Sequence, residues 1–362
     1  MRFFDMFSGI GGFRAGLSRA SGFRCVGHCE IDKYADKSYH AIFKTEGEYY
    51  CDDARKINPD ELPGFDLLCA GFPCQPFSQA GKRRGFDDTR GTLFFEIARL
   101  VREKRPKYLL LENVPGLLTH DKGRTFNTIC GTLSELRYHV EWQVLDSKNF
   151  GVPQSRKRVY AFCYLDERCA GKVLPILREN SQTLKQLVGG KQGHRVYDSN
   201  GLSCTLTSGG GGFAGKSGLY FIDLNNSPKI TGSARCIKSK YNSGISNRTG
   251  ENSGVLVCNE PIPLITPERL NKRQNGKRYR PPNAPMFTLT QQDRHGILLN
   301  GRIRKLVPVE CLRLQGYVDE QIAKIAALNS DNQVYKQAGN SVTVNVVHEI
   351  GIRIMEVESV LN

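Results

Sequence analysis

The sequence predicts an α/β protein with a doubly wound, mostly parallel sheet and a second, smaller, loop-rich β domain. Two observations support this. Strand-like and helix-like segments alternate through the first 165 residues, as they do in a parallel sheet with helices on both faces. From about residue 178 the chain is rich in Gly, Ser, Asn and basic residues, and helical periodicity returns only from Arg304. We therefore expect 1–178 and 304–362 to form the large domain, and 179–303 the small one.

Short apolar runs and helical periodicity predict the elements of the large domain. In Leu93–Glu103, for example, the apolar residues fall on one helical face. The segment KQAGNS at 336–341 is expected to be a loop. The predicted strands are Arg2–Phe7, Arg24–Glu30, Asp66–Ala70, Tyr108–Asn113, Val140–Leu145 and Val159–Leu165, and the predicted helices are Gly11–Ser18, Leu93–Glu103, Thr125–Leu136, Val307–Leu314, Glu320–Leu328 and Val342–Val357.

Composition indicates a globular protein without a membrane span. Hydrophobic residues make up 39% and charged residues 24% of the chain, which is ordinary for a globular protein. There is no apolar run of about 18 residues and no signal-like N-terminus, so we expect no membrane span and a cytoplasmic location. The 12 cysteines are expected to be reduced thiols. Cys25 and Cys29 flank His28, but no second ligand pair stands nearby, so no metal site is expected.

The positive charge is concentrated in the small domain. The formal net charge is +15, and residues 178–305 carry 20 Lys+Arg against 7 Asp+Glu, which is 20 − 7 = +13. A basic region of this density indicates a polyanionic partner. Charge alone also fits a protein that is basic only for solubility.

A glycine-rich turn joins the first predicted strand to the first helix. The segment DMFSGIGG covers Asp5–Gly12, and Glu30 stands at the end of the next strand. A carboxylate at that position suits ribose hydroxyls. Because the turn is not GxGxxG, a mononucleoside such as S-adenosylmethionine fits better than a dinucleotide. A tight turn without a ligand is the alternative.

A cysteine lies in a stiff loop after the third predicted strand. Cys74 stands in AGFPCQPFS between Pro73 and Pro76, at the strand end where open α/β sheets bind ligands. It is therefore a candidate nucleophile. Most cysteines are buried and inert, and Cys69 on the preceding strand is expected to be one of these.

A carboxylate and two arginines are expected near Cys74. Glu112 ends the fourth strand in LENVP, at the same sheet edge, where it can share a proton with a substrate. Arg156 and Arg158 alternate in QSRKR, so both can clamp a polar substrate edge. Ordinary capping or solvent-exposed roles remain open for each of these residues.

These motifs, in this order, resemble those of bacterial DNA cytosine-5 methyltransferases over nearly the whole chain. The series is DMFSGIGG, GFPCQPFS, RGTLFFE, LENV, QSRKR, RKLVPVECLRLQGY and QAGNSV. The resemblance implies that Cys74 attacks carbon 6 of cytosine and that Glu112 acts as the acid at ring nitrogen 3. It also implies that Arg158 contacts the base oxygen, while Arg156 supports the loop and the carboxylate.

The resemblance likewise implies a cofactor site for S-adenosylmethionine. Glu30 would bind the ribose and Asp53 the adenine amine. The family usually has Gly before that aspartate, whereas this chain has Asp52; we favour Asp53 because ARKI follows it. The remaining implied cofactor residues are Phe7, Gly9, Gly11, Gly12, Ile31, Asn340, Ser341 and Val342.

The basic region occupies the place of the family's target recognition domain. Double-stranded DNA is therefore the implied partner, with the target cytosine flipped out of the helix. Residues 269–280, Arg294, Thr288 and Thr290 are candidates for contacts with DNA. A monomer is expected, with a restriction endonuclease only as a functional companion.

Two other functions compete with this interpretation. An RNA methyltransferase would share the chemistry, but its recognition region would be smaller. A non-catalytic DNA-binding homologue is disfavoured because Cys74, Glu112, Arg156 and Arg158 are all present.

Overall fold

The computed structural model describes residues 1–73, 93–177, 186–188, 196–197, 262–265, 279–281, 283–289, 295–299 and 302–361. The chain divides into two compact units. The first comprises Met1–Leu177, Thr288–Gln292 and Val307–Asn362, and the second comprises Arg178–Phe287 and Asp293–Leu306. Within the described residues, no helix is both long enough and apolar enough to cross a membrane.

The first unit contains a seven-stranded sheet and eight α-helices among its described residues. The strands are β1 (Arg2–Met6), β2 (Arg24–Cys29), β3 (Tyr49–Cys51), β4 (Leu67–Gly71), β5 (Tyr108–Asn113), β6 (His139–Asp146) and β7 (Lys157–Tyr164). The helices are α1 (Gly12–Ala20), α2 (Lys33–Ile42), α3 (Leu93–Lys104), α4 (Arg124–Glu135), α5 (Pro308–Leu314), α6 (Asp319–Leu328), α7 (Asp331–Asn340) and α8 (Val344–Leu361).

The sheet is mostly parallel, as the sequence predicts. Its order is β3-β2-β1-β4-β5-β7-β6, and only β7 pairs antiparallel, with β5 on one side and β6 on the other. Every residue of β5 is buried, which is usual for a strand that helices cover on both faces. The carboxyl ends of β1, β2, β4 and β5 therefore meet at one edge, where the described residues that end or follow these strands form the candidate site.

Helices α1 and α8 pack closely because small residues face each other. A Cβ atom on Gly16 would lie 2.6 Å from Cβ of Val347, and one on Gly351 would lie 2.9 Å from Cβ of Ala20. The absence of a side chain at Gly16 and at Gly351 therefore allows the close approach at these two points. The start and the end of the first unit are thus held together against the same face of the sheet.

In the second unit, the described strands are β8 (Gln186–Val188), β9 (Val196–Tyr197), β10 (Ile262–Ile265), β11 (His295–Leu299) and β12 (Arg302–Lys305). Strands β10, β11 and β12 form an antiparallel sheet, and β8 pairs with β9. Arg280 donates to the carbonyl of Pro285 at 2.8 Å and lies over the ring of Phe287, 4.5 Å from its centroid.

Among the described strands and α-helices of the first unit, the sequence analysis missed β3, α2 and α7, and at α7 its prediction of a loop was wrong. It left α2 and β3 unassigned, and it expected a loop at 336–341, where α7 in fact extends to Asn340. Gln337 is buried in α7 and donates to the carbonyl of Tyr34 at 2.9 Å. This tertiary contact with α2 stabilises a polar helix whose sequence shows little apolar periodicity.

Candidate active site

The turn between β1 and α1 has a left-handed backbone at three of the predicted cofactor residues. The φ angles are 57° at Phe7, 55° at Gly9 and 79° at Gly11, a region that favours glycine. A Cβ atom on Gly9 would meet no atom within 4 Å. The turn therefore borders open space at Gly9, which leaves room for a ligand to approach the backbone.

Glu30 lies directly beside this turn. Its carboxylate accepts hydrogen bonds from the backbone N–H of Gly9 at 2.7 Å and of Asp32 at 2.8 Å. Burial raises the pKa of Glu30 above its ordinary value, and these two bonds oppose the rise. The next residue, Ile31, is 70% exposed despite its large apolar side chain. The pair thus offers a carboxylate and an apolar surface at one end of β2.

Asp52 and Asp53 differ in their surroundings. The side chain of Asp52 is 58% exposed and pairs with Lys56 at 3.0 Å. The side chain of Asp53 is 12% exposed and pairs with Arg55 at 2.6 Å. Hydrogen bonds from Arg55 lower the pKa of Asp53 below its ordinary value. Asp53 is therefore a fixed, ionised carboxylate at the end of β3, whereas Asp52 faces solvent.

The segment Ser341–Val342 after α7, here called the C-terminal return, packs against the glycine turn. A Cβ atom on Gly12 would lie 2.6 Å from Cγ2 of Val342 and 2.9 Å from Oγ of Ser341. The Ser341 hydroxyl is 2.8 Å from the hydroxyl of Tyr317. Asn340 is exposed at the end of α7. The two ends of the first unit therefore meet at this turn.

The ends of β4 and β5 are joined beside Glu112. Gly71 and Glu112 are partners in the register of these strands. Asn113 donates from Nδ2 to the carbonyl of Phe72 at 2.8 Å, and its Oδ1 accepts from the N–H of Val114 at 2.8 Å. Cys74, the predicted nucleophile, lies outside the described residues. Phe72, two positions before it, is held by Asn113.

Glu112 forms a buried ion pair with Arg158. Nε of Arg158 is 3.0 Å from Oε1 of Glu112, and Glu112 is only 8% exposed. Burial raises the pKa of the Glu112 carboxyl above its ordinary value, while the positive charges of Arg158 and Arg156 oppose the rise. A carboxyl group with a raised pKa is suited to share a proton with a bound base.

Arg156 has a different environment from Arg158, although the two alternate in the sequence. Its guanidinium is buried and donates to the carbonyls of Leu289, Gly339 and Ser341, at 3.0, 3.0 and 2.8 Å. Burial and the charge of Arg158 lower the pKa of Arg156 to about 10. Through these bonds Arg156 supports the surrounding backbone. It does not form the single substrate clamp with Arg158 that the sequence had suggested.

Gln154 is a contact residue to which the sequence analysis gave no role. Its side chain donates to the carbonyl of Leu314 at 3.0 Å and accepts from the N–H of Leu289 at 3.3 Å. The Thr288 hydroxyl donates to the carbonyl of Ser155 at 2.8 Å. The only signal for Gln154 in the sequence was its position as the first residue of the QSRKR motif. Of the predicted DNA contacts, Thr290, Arg294 and most of 269–280 lie outside the described residues.

A comparison with known proteins shows the family of the chain. The family model for C-5 cytosine-specific DNA methylases matches residues 1–356. The chain belongs to this family. The methyltransferase is 36% identical to the orphan methyltransferase M.SPRI of Bacillus phage SPR, over 97% of this chain and 96% of the phage protein. It is 32% identical to the type II methyltransferase M.HhaI of Haemophilus parahaemolyticus, over 98% and 94% of the two chains.

Solved structures support the fold. A structure described as a DNA modification methyltransferase encoded within an E. coli prophage aligns with a TM-score of 0.56 at 20% identity, over 99% of both chains. The Dnmt2 methyltransferase of S. pombe aligns with a TM-score of 0.53 at 19% identity, over 100% of this chain and 99% of that one. The predicted fold class and the family resemblance are both confirmed. Membership of the family makes the protein a DNA cytosine-5 methyltransferase, and the family implies a methyl-donor cofactor.

Proposed function

We propose that the methyltransferase transfers the methyl group of S-adenosylmethionine to carbon 5 of a cytosine flipped out of a short, specific sequence in double-stranded DNA. We further propose that the reaction proceeds through a covalent bond to Cys74. The observation that carries the proposal is the buried Glu112–Arg158 pair at the end of β5, next to the strand that leads to Cys74. Attack of a thiolate on a pyrimidine ring needs a group that shares a proton with the ring, and the carboxyl group of Glu112 can do this.

The residues around the glycine turn fit S-adenosylmethionine. Gly9 borders open space, Glu30 presents a carboxylate for ribose hydroxyls, and exposed Ile31 offers an apolar surface for adenine. We propose Asp53 rather than Asp52 as the adenine contact, because its carboxylate is fixed. When bound, S-adenosylmethionine supplies an electrophilic methyl group. The other proposed contacts are Phe7, Gly11, Gly12, Asn340, Ser341 and Val342.

The chain's own residues activate the base. The Cys74 thiolate forms a bond to carbon 6, and Glu112 holds the proton at nitrogen 3, so that electron density rises at carbon 5. Arg158 keeps Glu112 in place and can reach the base oxygen. Arg156 fixes the backbone around this pair. Once carbon 5 carries the methyl group, loss of its proton to solvent and departure of the Cys74 thiolate from carbon 6 re-form the ring double bond. Return of the nitrogen-3 proton to Glu112 then completes the aromatic product and the free enzyme.

We propose that residues 179–303 form the target recognition domain and that 304–362 complete the catalytic domain. Extracting a stacked base costs a few kcal/mol, and the +13 charge of residues 178–305 can offset this cost through phosphate contacts. A monomer in the cytoplasm that protects DNA from a companion restriction endonuclease is the biological role we favour.

The first test is methylation of a mixed-sequence plasmid with S-adenosylmethionine, followed by sequencing that distinguishes 5-methylcytosine. We expect one short motif to be methylated. Parallel incubation with tRNA tests the RNA alternative, and methylation of tRNA alone would contradict the proposed substrate.

The Cys74→Ser variant tests the covalent step. It should bind the same DNA and lose methyl transfer, because a serine hydroxyl is a far weaker nucleophile than a thiolate. Cys130→Ser is the matched control, since Cys130 lies on α4 and is none of the proposed site residues, and it should retain turnover. Near-normal turnover by Cys74→Ser would contradict the covalent role.

A further inference from the structure

Three potential metal-ligating side chains meet between β2 and α2. His28 lies on β2, and Asp36 and His40 lie one turn apart on α2. Nε2 of His28 is 3.0 Å from Oδ1 of Asp36, and Nε2 of His40 is 3.5 Å from the same oxygen. The potential ligand atoms of the three residues all lie within 4.8 Å of one another. The catalytic mechanism uses none of them.

We propose that His28, Asp36 and His40 bind a divalent transition-metal ion of the zinc type. Zn²⁺ binds imidazole nitrogens and carboxylate oxygens at about 2.0–2.2 Å, so tetrahedral ligand atoms stand roughly 3.3 Å apart. The two distances from Asp36 lie on either side of this value. Two imidazoles and one carboxylate leave one position of the tetrahedron for water.

The surroundings hold the two rings in place. His28 stacks on Tyr39, with ring centroids 4.0 Å apart. Nδ1 of His40 is 2.6 Å from the hydroxyl of Thr45. When this nitrogen carries the proton and donates it to Thr45, the lone pair on Nε2 faces Asp36. A hydrogen bond at the second ring nitrogen of this kind usually orients a metal-binding histidine.

Access and sequence position also favour the proposal. The side chain of His40 is 42% exposed, whereas that of His28 is 1% exposed, so an ion can enter from the His40 side and be held by a buried ligand. His28 stands two residues before Glu30. A bound ion would therefore tie α2 to β2 next to the connection that carries Glu30 and Ile31.

The sequence expectation of no metal site considered only Cys25 and Cys29 as partners of His28. The structure instead places His28 against the helix that the sequence analysis did not predict. The competing interpretation is a carboxylate that accepts hydrogen bonds from both imidazoles. It predicts no stoichiometric metal binding.

The test is a titration of the full chain, treated first with a chelator, with Co²⁺ alone. We expect one equivalent to give the visible absorption bands of four-coordinate cobalt, without the intense ultraviolet band of thiolate ligation. Zn²⁺ should then displace Co²⁺. Failure to bind one equivalent, or a thiolate band, would overturn the proposal, since the 12 cysteines are the main competing ligands.

Variants locate the ion. His40→Ala should lose the cobalt spectrum, and Asp36→Asn, which preserves the shape of the side chain, should weaken binding at least tenfold. His139→Ala is the matched control, because His139 is an exposed histidine on β6 that stacks on Tyr164, and it should bind as the wild type does. Thermal unfolding without metal checks that each variant is folded. An unchanged spectrum in both His40→Ala and Asp36→Asn would refute the site.

Discussion

At the scale of single residues, the buried carboxyl group of Glu112 carries most of the proposed chemistry. Glu112→Gln preserves the shape of the side chain but removes its acid. Because general acid–base catalysis contributes about 10²–10⁴-fold, we expect turnover to fall by that order while cofactor affinity stays within about twofold. Single-turnover methylation and equilibrium binding of S-adenosylmethionine measure the two effects. Equal losses in both would indicate that Glu112 acts only through the fold.

Asp5 provides a test based on pH. It is fully buried, and Tyr39 donates to its Oδ2 at 3.4 Å. Burial raises its pKa well above the ordinary value, although the charge of Arg14 opposes the rise. The folded state therefore binds its proton more tightly than the unfolded state does. Its contribution to stability is fully present below about pH 4 and is lost as the pH rises through the raised pKa.

The Asp5→Asn variant lacks this titration. The free energy of unfolding of the variant minus that of the wild type should therefore increase as the pH rises. The total increase is about 1.4 kcal/mol for each unit of pKa difference between the folded and unfolded states of the wild type. Urea unfolding at a series of pH values from 4 to 8, without cofactor, measures the change. Parallel pH profiles for the two proteins would show that Asp5 does not titrate in this way.

The sequence predicted those site residues whose role depends on their place at a strand end. Glu30 and Glu112 were expected there, and the structure places both at the carboxyl edge of the sheet. The sequence analysis did not predict that Asn113 would bind the carbonyl of Phe72, or that Gln154 would bind the N–H of Leu289. Those roles depend on which backbone groups lie opposite in space, and side-chain type and spacing contain no such information.

At the scale of elements, the start of α1 depends on the absence of a side chain at Gly12. A methyl group there would lie 2.6 Å from Cγ2 of Val342 and 3.0 Å from its carbonyl oxygen. Overpacking of this kind costs about 1–3 kcal/mol. Gly12→Ala should therefore lower the free energy of unfolding by that amount and weaken binding of S-adenosylmethionine, because the turn and the C-terminal return must move apart.

Gly131→Ala is the matched control for this prediction. Gly131 lies within α4, and a Cβ atom there would meet nothing within 4 Å. Alanine should leave stability unchanged or raise it by up to about 1 kcal/mol, since it favours a helix. Chemical denaturation measures the free energy of unfolding of both variants. A Gly12→Ala protein as stable as Gly131→Ala would contradict the close packing.

The elements that the sequence predicted are those with a strong apolar pattern. The bounds of β5 match the prediction completely, and those of α3 differ by one residue. Helices α2 and α7 were missed, and both make polar contacts with distant parts of the chain. Gln337 donates to Tyr34, and Lys336 pairs with Asp32 at 2.6 Å. Polar contacts over 300 residues apart in sequence leave no periodic signal.

At the scale of the whole molecule, the uneven charge predicts how DNA binding responds to salt. Proteins that make 6–10 phosphate contacts lose about 10³–10⁵-fold in affinity between 50 and 200 mM salt. With +13 in residues 178–305, we expect a loss of that order for duplex DNA. Affinity for S-adenosylmethionine should change little over the same range. Fluorescence anisotropy with labelled DNA measures the first, and a flat response to salt would contradict a phosphate-binding role.

The packing of α1 against α8 also bears on how the chain is made. Helix α1 is synthesised more than 300 residues before α8, the helix that packs against it. Until then the nascent chain exposes the small apolar face around Gly16 and has no Val342 to close the glycine turn. The packing around the glycine turn must therefore wait until Val342 and α8 have been synthesised. A nascent chain that lacks these residues exposes apolar surface of the kind that favours aggregation.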